Sequence, residues 1–372
     1  MDADPIRIAA LEGGAEAPRG RTRRIAQMRR VRPDRLFGAA CSVILLVLLV
    51  YGCAVSSSSG VTTGDSPVPS SLPSGPVRWS EFATSAQVRL AVRAGLGITR
   101  LGSTAQPSLQ LLAQRQEYGN NEATGCKGTT TYEASLPVLQ CTFGVPSSAK
   151  VMVLEGDSRA QMWFDTVNAI AKATGYRLVF LSKGGCPSAD GSFRLNDGRW
   201  ENAPWPACTA WHRFVVDTVR SLHPAVVITA SQLMLYAAGT TAPLPPESAA
   251  ADFAAFYHEI SGPWHLVVIG GFPEPLALNP TLCLSQYPTD VERCTWVVPR
   301  WVDTGVAAVR SAAVSSGALY IDQRPWLCAG NRCPAVVAGI IPYTIDGYHI
   351  DRVYAKYLTG VLWSALAPVI GR

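Results

Sequence analysis

Histidine is scarce in this chain, with five among 372 residues, so chemistry that needs an imidazole has few places to reside. Charge is missing altogether from Leu36 to Val55, where the core Val43-Ile44-Leu45-Leu46-Val47-Leu48-Leu49-Val50 is continuously aliphatic. About 20 apolar residues cross the hydrocarbon core as a helix, which reads this stretch as a membrane span. No internal repeat is present, and this excludes solenoids and propellers. No second close Cys/His pair stands beside Cys328-Ala-Gly-Asn-Arg-Cys333. A structural zinc site is therefore not expected there, and neither a metal nor a cofactor is expected elsewhere.

The net charge of +5 is unevenly placed: Arg19, Arg21, Arg23, Arg24, Arg29, Arg30, Arg32 and Arg35 crowd the start of the chain. Because the membrane stretch follows at once, these arginines mark a cytoplasmic flank and not a nucleic-acid site. Residues 1–35 are expected as a basic, disordered cytoplasmic tail, and 36–55 as a single-pass transmembrane anchor that sends the rest outside the membrane. Two rival readings are a cleaved signal peptide and lipoprotein processing at Cys53. The long basic region argues against the first and Tyr51 against the second. Residues 56–80, rich in Ser, Pro and Gly, form a flexible stalk. Residues 81–145 form a helical, disulfide-tied lead-in, with Val88, Val92 and Leu96 on one helical face. Residues 146–368 form the main domain.

Within that domain short apolar runs alternate with longer amphipathic stretches. Strands are predicted at 151–154, 177–181, 225–229, 265–269 and 318–321. Helices are predicted at 160–174, 209–222, 248–260, 301–315 and 352–366. This alternation implies an α/β fold, a three-layer doubly wound parallel sheet reached by right-handed crossovers. Ligands of such sheets bind outside the carboxyl ends of the strands.

One turn at that edge carries the chemistry. Val151 to Leu154 reads as a buried strand and the chain breaks at Gly156. After Ser158 the apolar residues Met162, Phe164, Val167 and Ile170 recur at helical spacing. Ser158 thus sits on a strand-to-helix turn, its hydroxyl exposed at the sheet edge and its N–H among the free donors of a helix start. Serine needs a base to take its proton. His349 lies three positions after Asp346, close enough for the carboxylate to fix the imidazole tautomer. His212, His223, His258 and His265 lack a carboxylate at such spacing in a strand-end loop and read as structural. Asp157 reads as a turn hydrogen-bonder. Cys126 with Cys141, Cys186 with Cys208, Cys283 with Cys294 and Cys328 with Cys333 stand as sequence-adjacent couples, consistent with disulfides in an oxidising compartment. Eight cysteines allow 105 connectivities.

Gly156-Asp157-Ser158 with Gln161 and Trp163, then Lys183-Gly184-Gly185-Cys186-Pro187, then Asp346-Gly347-Tyr348-His349, resemble the SGNH (GDSL-like) hydrolase superfamily, and within it the SGNH domain fused to acyltransferase-3 family membrane proteins. The resemblance spans roughly Cys126 to Leu366. It implies an SGNH/flavodoxin-like fold and a Ser158, His349 and Asp346 triad. It also implies an oxyanion hole built from the Ser158 N–H, a Gly184 or Gly185 N–H, and an asparagine after the third strand. Here that third position reads Ala230-Ser231-Gln232, so the third donor is either missing or replaced by Ser231 or Gln232. Arg159 stands where histidine is common in the family and is the candidate substrate contact, with an exposed helix-start cation as its plain alternative.

The resulting expectation is extracytoplasmic O-acyl transfer, most specifically O-acetylation of a cell-envelope glycan. A multispanning acyltransferase-3 partner would supply the acyl group. A carbohydrate or lipid esterase with the same triad and a catalytically silent glycan-binding domain are the alternatives. Trp163, Trp205 and Trp211 are compatible with sugar stacking, although core packing is the commoner use of tryptophan.

Overall fold

The computed structural model describes residues 79–114, 126–128, 135, 138–191, 193, 204–237, 242–275 and 278–371. The expected tail, anchor and nearly all of the stalk lie outside the described residues. Among the described residues no helix is long and apolar enough to cross a membrane.

The chain runs α1 (Ser85–Gly95), α2 (Leu109–Gln114), β1 (Lys127–Gly128), β2 (Thr142–Gly144), β3 (Val151–Gly156), α3 (Ser158–Thr174), β4 (Arg177–Lys183), α4 (Pro206–Leu222) and β5 (Val226–Ala230). It continues with α5 (Pro246–Glu259), β6 (His265–Gly270), α6 (Pro280–Gln286), β7 (Trp296–Val297), α7 (Arg300–Ser315), β8 (Leu319–Asp322), β9 (Arg332–Cys333), α8 (Arg352–Tyr357) and α9 (Thr359–Ile370). The main sheet has the order β1-β4-β3-β5-β6-β8, with β2 also on β4. Its five central strands are parallel, and β3 pairs with β4 on one side and β5 on the other. The order therefore reverses at β3, the place where ligands bind in doubly wound sheets.

The local chemistry accounts for this layout. Every residue of β3 is buried, as its unbroken apolar run requires of a strand covered on both faces. Helix α3 packs against α8 and α9, while α5 packs against α7, so the sheet is the middle layer of three. Gly175 ends α3 in the left-handed conformation that a helix C-terminus favours. A capping box starts α1, with the Thr84 hydroxyl accepting from the Gln87 N–H and the Gln87 side chain accepting from the Thr84 N–H.

The lead-in contributes to the main sheet: β1 and β2 share the outer edge of β4, β2 antiparallel on its first half and β1 parallel on its second. Phe143 packs edge-on against Phe164 of α3 and the Gly144 N–H donates to Asn168. One expectation is corrected: the closing helix, expected as one over 352–366, is two helices, broken at Leu358 and running on to Ile370. The break lets Gly360 approach Phe82 and Ala83 so closely that a Cβ there would meet the Phe82 Cβ at 2.6 Å.

Each cysteine couple forms a bridge: Cys126–Cys141, Cys186–Cys208, Cys283–Cys294 and Cys328–Cys333. Cys186, Cys208 and His212 converge, but the two sulfurs belong to one disulfide and offer no thiolate. His212 is held by the Pro187 carbonyl at 2.8 Å.

Candidate active site

The turn between β3 and α3 is built by its first two residues. Gly156 has φ +140°, and a Cβ there would lie 2.0 Å from the Ala230 carbonyl oxygen. Only glycine fits that approach. Asp157 then caps α3: its Oδ1 accepts from the Arg159 N–H at 2.8 Å, and its Oδ2 accepts from the Gln232 N–H at 2.9 Å and the Ser231 hydroxyl at 3.3 Å. This carboxylate thus ties the start of α3 to the loop after β5, the turn role expected for it. Burial, partly offset by those donors, pushes its pKa up to about 6. Ser158 follows as the first residue of α3.

The partner loop, residues 343–350, is closed by pairing of Tyr343 with Ile350, and Gly347 supplies a positive φ of +74° within it. Asp346 Oδ1 accepts from the Thr344 hydroxyl at 2.6 Å, the Tyr348 N–H at 2.7 Å and the His349 N–H at 3.2 Å. Its Oδ2 lies 2.7 Å from His349 Nδ1, and His349 Nε2 lies 2.8 Å from Ser158 Oγ. With Nδ1–H donated to the carboxylate, Nε2 presents its lone pair to the serine hydroxyl. Burial alone would raise the Asp346 pKa, but the His349 ring and the other donors hold it well below the usual carboxylate range. Burial lowers the His349 pKa to about 4, assisted by the nearby positive Arg159 and opposed by the bond to Asp346. The imidazole is therefore neutral at pH 7 and able to accept a proton.

Residues outside the three hold the loop in place. Asn279 Nδ2 donates to the Ile345 carbonyl while its Oδ1 caps α6 through the N–H groups of Thr281 and Leu282. The Thr281 hydroxyl donates to the Tyr343 carbonyl. Sequence reasoning missed Asn279, although an Asn directly before a Pro that opens a helix is a recognisable cap signal. It also missed Glu274, for which no sequence signal exists.

Arg159 is not an exposed helix-start cation. It is buried, pairs with Glu274 at 2.7 Å, donates to the Tyr348 carbonyl and lies 4.5 Å over the Phe272 ring. A cation so enclosed is committed to internal partners, and here it braces the loop that carries His349. Trp163, Trp205 and Trp211 are likewise core residues, so none offers a face to a sugar. Gly184 and Gly185 form the turn after β4, Gly185 with φ +76°. The Ser231 hydroxyl is spent on Asp157, whereas the Gln232 carboxamide has no hydrogen-bond partner among the described residues.

A family model, the SGNH domain fused to AT3 domains, matches residues 125–364. The chain belongs to this family. It is accordingly an SGNH enzyme acting on ester bonds, by acyl transfer or by hydrolysis. Among solved structures the SGNH domain is similar to the periplasmic domain of a lipopolysaccharide acetyltransferase from Salmonella ser. Paratyphi A. The identity is 16%, over 67% of this chain and 92% of that one, with a TM-score of 0.49. It is also similar to a GDSL-like lipase from Bacteroides thetaiotaomicron, with 15% identity over 59% of this chain and 88% of that one and a TM-score of 0.36. No curated protein matches the sequence.

Proposed function

We propose that this SGNH domain transfers an acyl group, specifically acetyl, to a hydroxyl of a cell-envelope glycan through an acyl-enzyme on Ser158. The observation that carries the reading is the unbroken relay from Asp346 to His349 Nδ1 at 2.7 Å and from His349 Nε2 to Ser158 Oγ at 2.8 Å. An intact nucleophile-base contact also argues against a catalytically silent binding module. In the first half-reaction His349 takes the Ser158 proton as Oγ adds to the acyl carbonyl, and the imidazolium rests on Asp346. Collapse of the tetrahedral adduct breaks the bond to the leaving oxygen, which receives the proton from His349. In the second half-reaction His349 deprotonates the acceptor hydroxyl, which adds to the acyl-enzyme, and Ser158 leaves with the proton. Water in place of the sugar would make the same steps hydrolysis.

The developing oxyanion is stabilised by the Ser158 N–H at the start of α3 and by a Gly184 or Gly185 N–H. The third donor falls to Gln232, since its carboxamide is free and the Ser231 hydroxyl is not. Arrangement on the outer side of a membrane is supported by four disulfides, which persist in oxidising compartments. The acyl group reaches Ser158 from a multispanning acyltransferase-3 partner, a reading supported by the fusion of this family's SGNH domain to AT3 domains.

Two measurements test the reading. A fluorophosphonate probe labels the wild type and fails to label Ser158→Ala; an unlabelled wild type would refute the nucleophile. Protein supplied with an activated acetyl ester and a glycan acceptor yields acetylated sugar; release of free acetate alone identifies an esterase.

A further inference from the structure

A second concave site lies on the side of the molecule where α1 meets the turn after β8. Helix α1 buries Val88 and Val92, which turns Arg89 and Arg93, one helical turn apart, toward solvent. Like charges at this spacing repel, and among the described residues neither arginine has an ion-pair or hydrogen-bond partner. The helix dipole favours Arg93 in the last turn, but it gives no account of Arg89. Both line a groove of about 490 Å³ whose far wall is Arg324 and the loop from Cys328 to Gly330.

Arg324 adds a third positive charge to the lining. One of its terminal nitrogens is paired with Asp303, yet its Nε and its second terminal nitrogen are shielded from solvent without any acceptor. Those two atoms have no exposed surface, so a ligand in the groove meets the positive charge of this guanidinium and not its unpaired donors. Three arginines and no acidic residue line the groove, so its lining carries an excess of positive charge. Its walls are fixed: the Cys328–Cys333 bridge closes the loop, and α1 packs directly on the 324–326 turn. Planar guanidinium forks match the paired oxygens of a phosphate. The cavity is far larger than a bare oxyanion, which leaves room for the group esterified to it.

We propose that this groove binds a phosphate ester, with the phosphate on Arg89 and Arg93, Arg324 adding to the positive field, and its polyol or lipid portion in the remaining volume. Arg324 follows the carboxyl end of β8, and the groove shares no residue with the site at Ser158. The binding step is independent of the chemistry proposed for Ser158.

Calorimetric titration of the full chain in a neutral detergent, at ionic strength held constant with sodium chloride, tests the proposal with three probes: inorganic phosphate, glycerol phosphate and a short-chain phosphatidylglycerol. Wild type binds glycerol phosphate saturably, and R89Q/R93Q binds it at least tenfold more weakly. These two positions are exposed on a helix, and an unchanged circular-dichroism melt verifies that the variant folds. Tighter binding of the phosphatidylglycerol than of glycerol phosphate identifies a lipid headgroup as the source; equal binding identifies a soluble phosphate ester. Absence of saturable binding of all three probes, or binding unchanged in R89Q/R93Q, overturns the proposal.

Discussion

At Ser158 everything depends on which imidazole nitrogen carries the proton, and Asp346 decides that. Asp346→Asn preserves the shape of the loop but frees the wrong tautomer, so kcat for an acetyl ester falls about 10⁴-fold, with probe labelling of Ser158 slowed in parallel. Gln232→Ala lowers kcat about 10²–10³-fold if its carboxamide is the third oxyanion donor; an unchanged kcat removes it from that role. The acid limb of kcat/KM reports the proton on His349. Because burial holds that ring near 4, activity persists well below the ordinary histidine range and falls only as pH drops through about 4. Glu155, buried in β3 and bonded by the Ser188 hydroxyl, titrates with the opposite consequence for stability. Burial pushes its pKa up to about 8 from 4.5, so the folded state keeps a proton that the unfolded chain has released. Its contribution is fully present below about pH 4.5 and is lost as pH rises through about 8. Glu155→Gln therefore flattens the decline of melting temperature over that window, measured by calorimetry.

Among elements, the strand-to-helix turn and the late loop differ in how much of them the sequence disclosed. The strand at 151 and the helix after Ser158 were legible because an apolar run switched to helical spacing at a glycine, and the Asp-x-x-His pattern marked the base. What lay hidden were contacts between distant segments. Nothing in the sequence around Arg159 reveals that Glu274 would neutralise it, and the tryptophans near the site gave no sign of pointing inward. The short strands β1 and β2 escaped detection because strands of two or three residues carry no readable alternation. Asn279 joins the start of α6 to the late loop through two atoms of one amide. Asn279→Ala should cost about 1 kcal/mol as a lost cap and lower kcat by loosening His349, read as a drop in melting temperature together with slower ester turnover. If turnover is unaffected, the tether has no part in positioning the base.

Taken as a whole molecule, the domain combines a sheet buried on both faces with four covalent staples between nearby segments. Removing the bridge between α6 and the segment after it, as Cys283→Ser/Cys294→Ser, should cost about 2–4 kcal/mol, seen as a lowered urea midpoint with the slope nearly unchanged. Ser158 and His349 stand 191 positions apart, and the loop bearing His349 is made only shortly before the terminal helices. A growing chain consequently possesses its alcohol long before it possesses the means to activate it. No ester can be cleaved by a half-made molecule, and covalent tagging by a serine-directed reagent doubles as a count of the molecules that have finished folding.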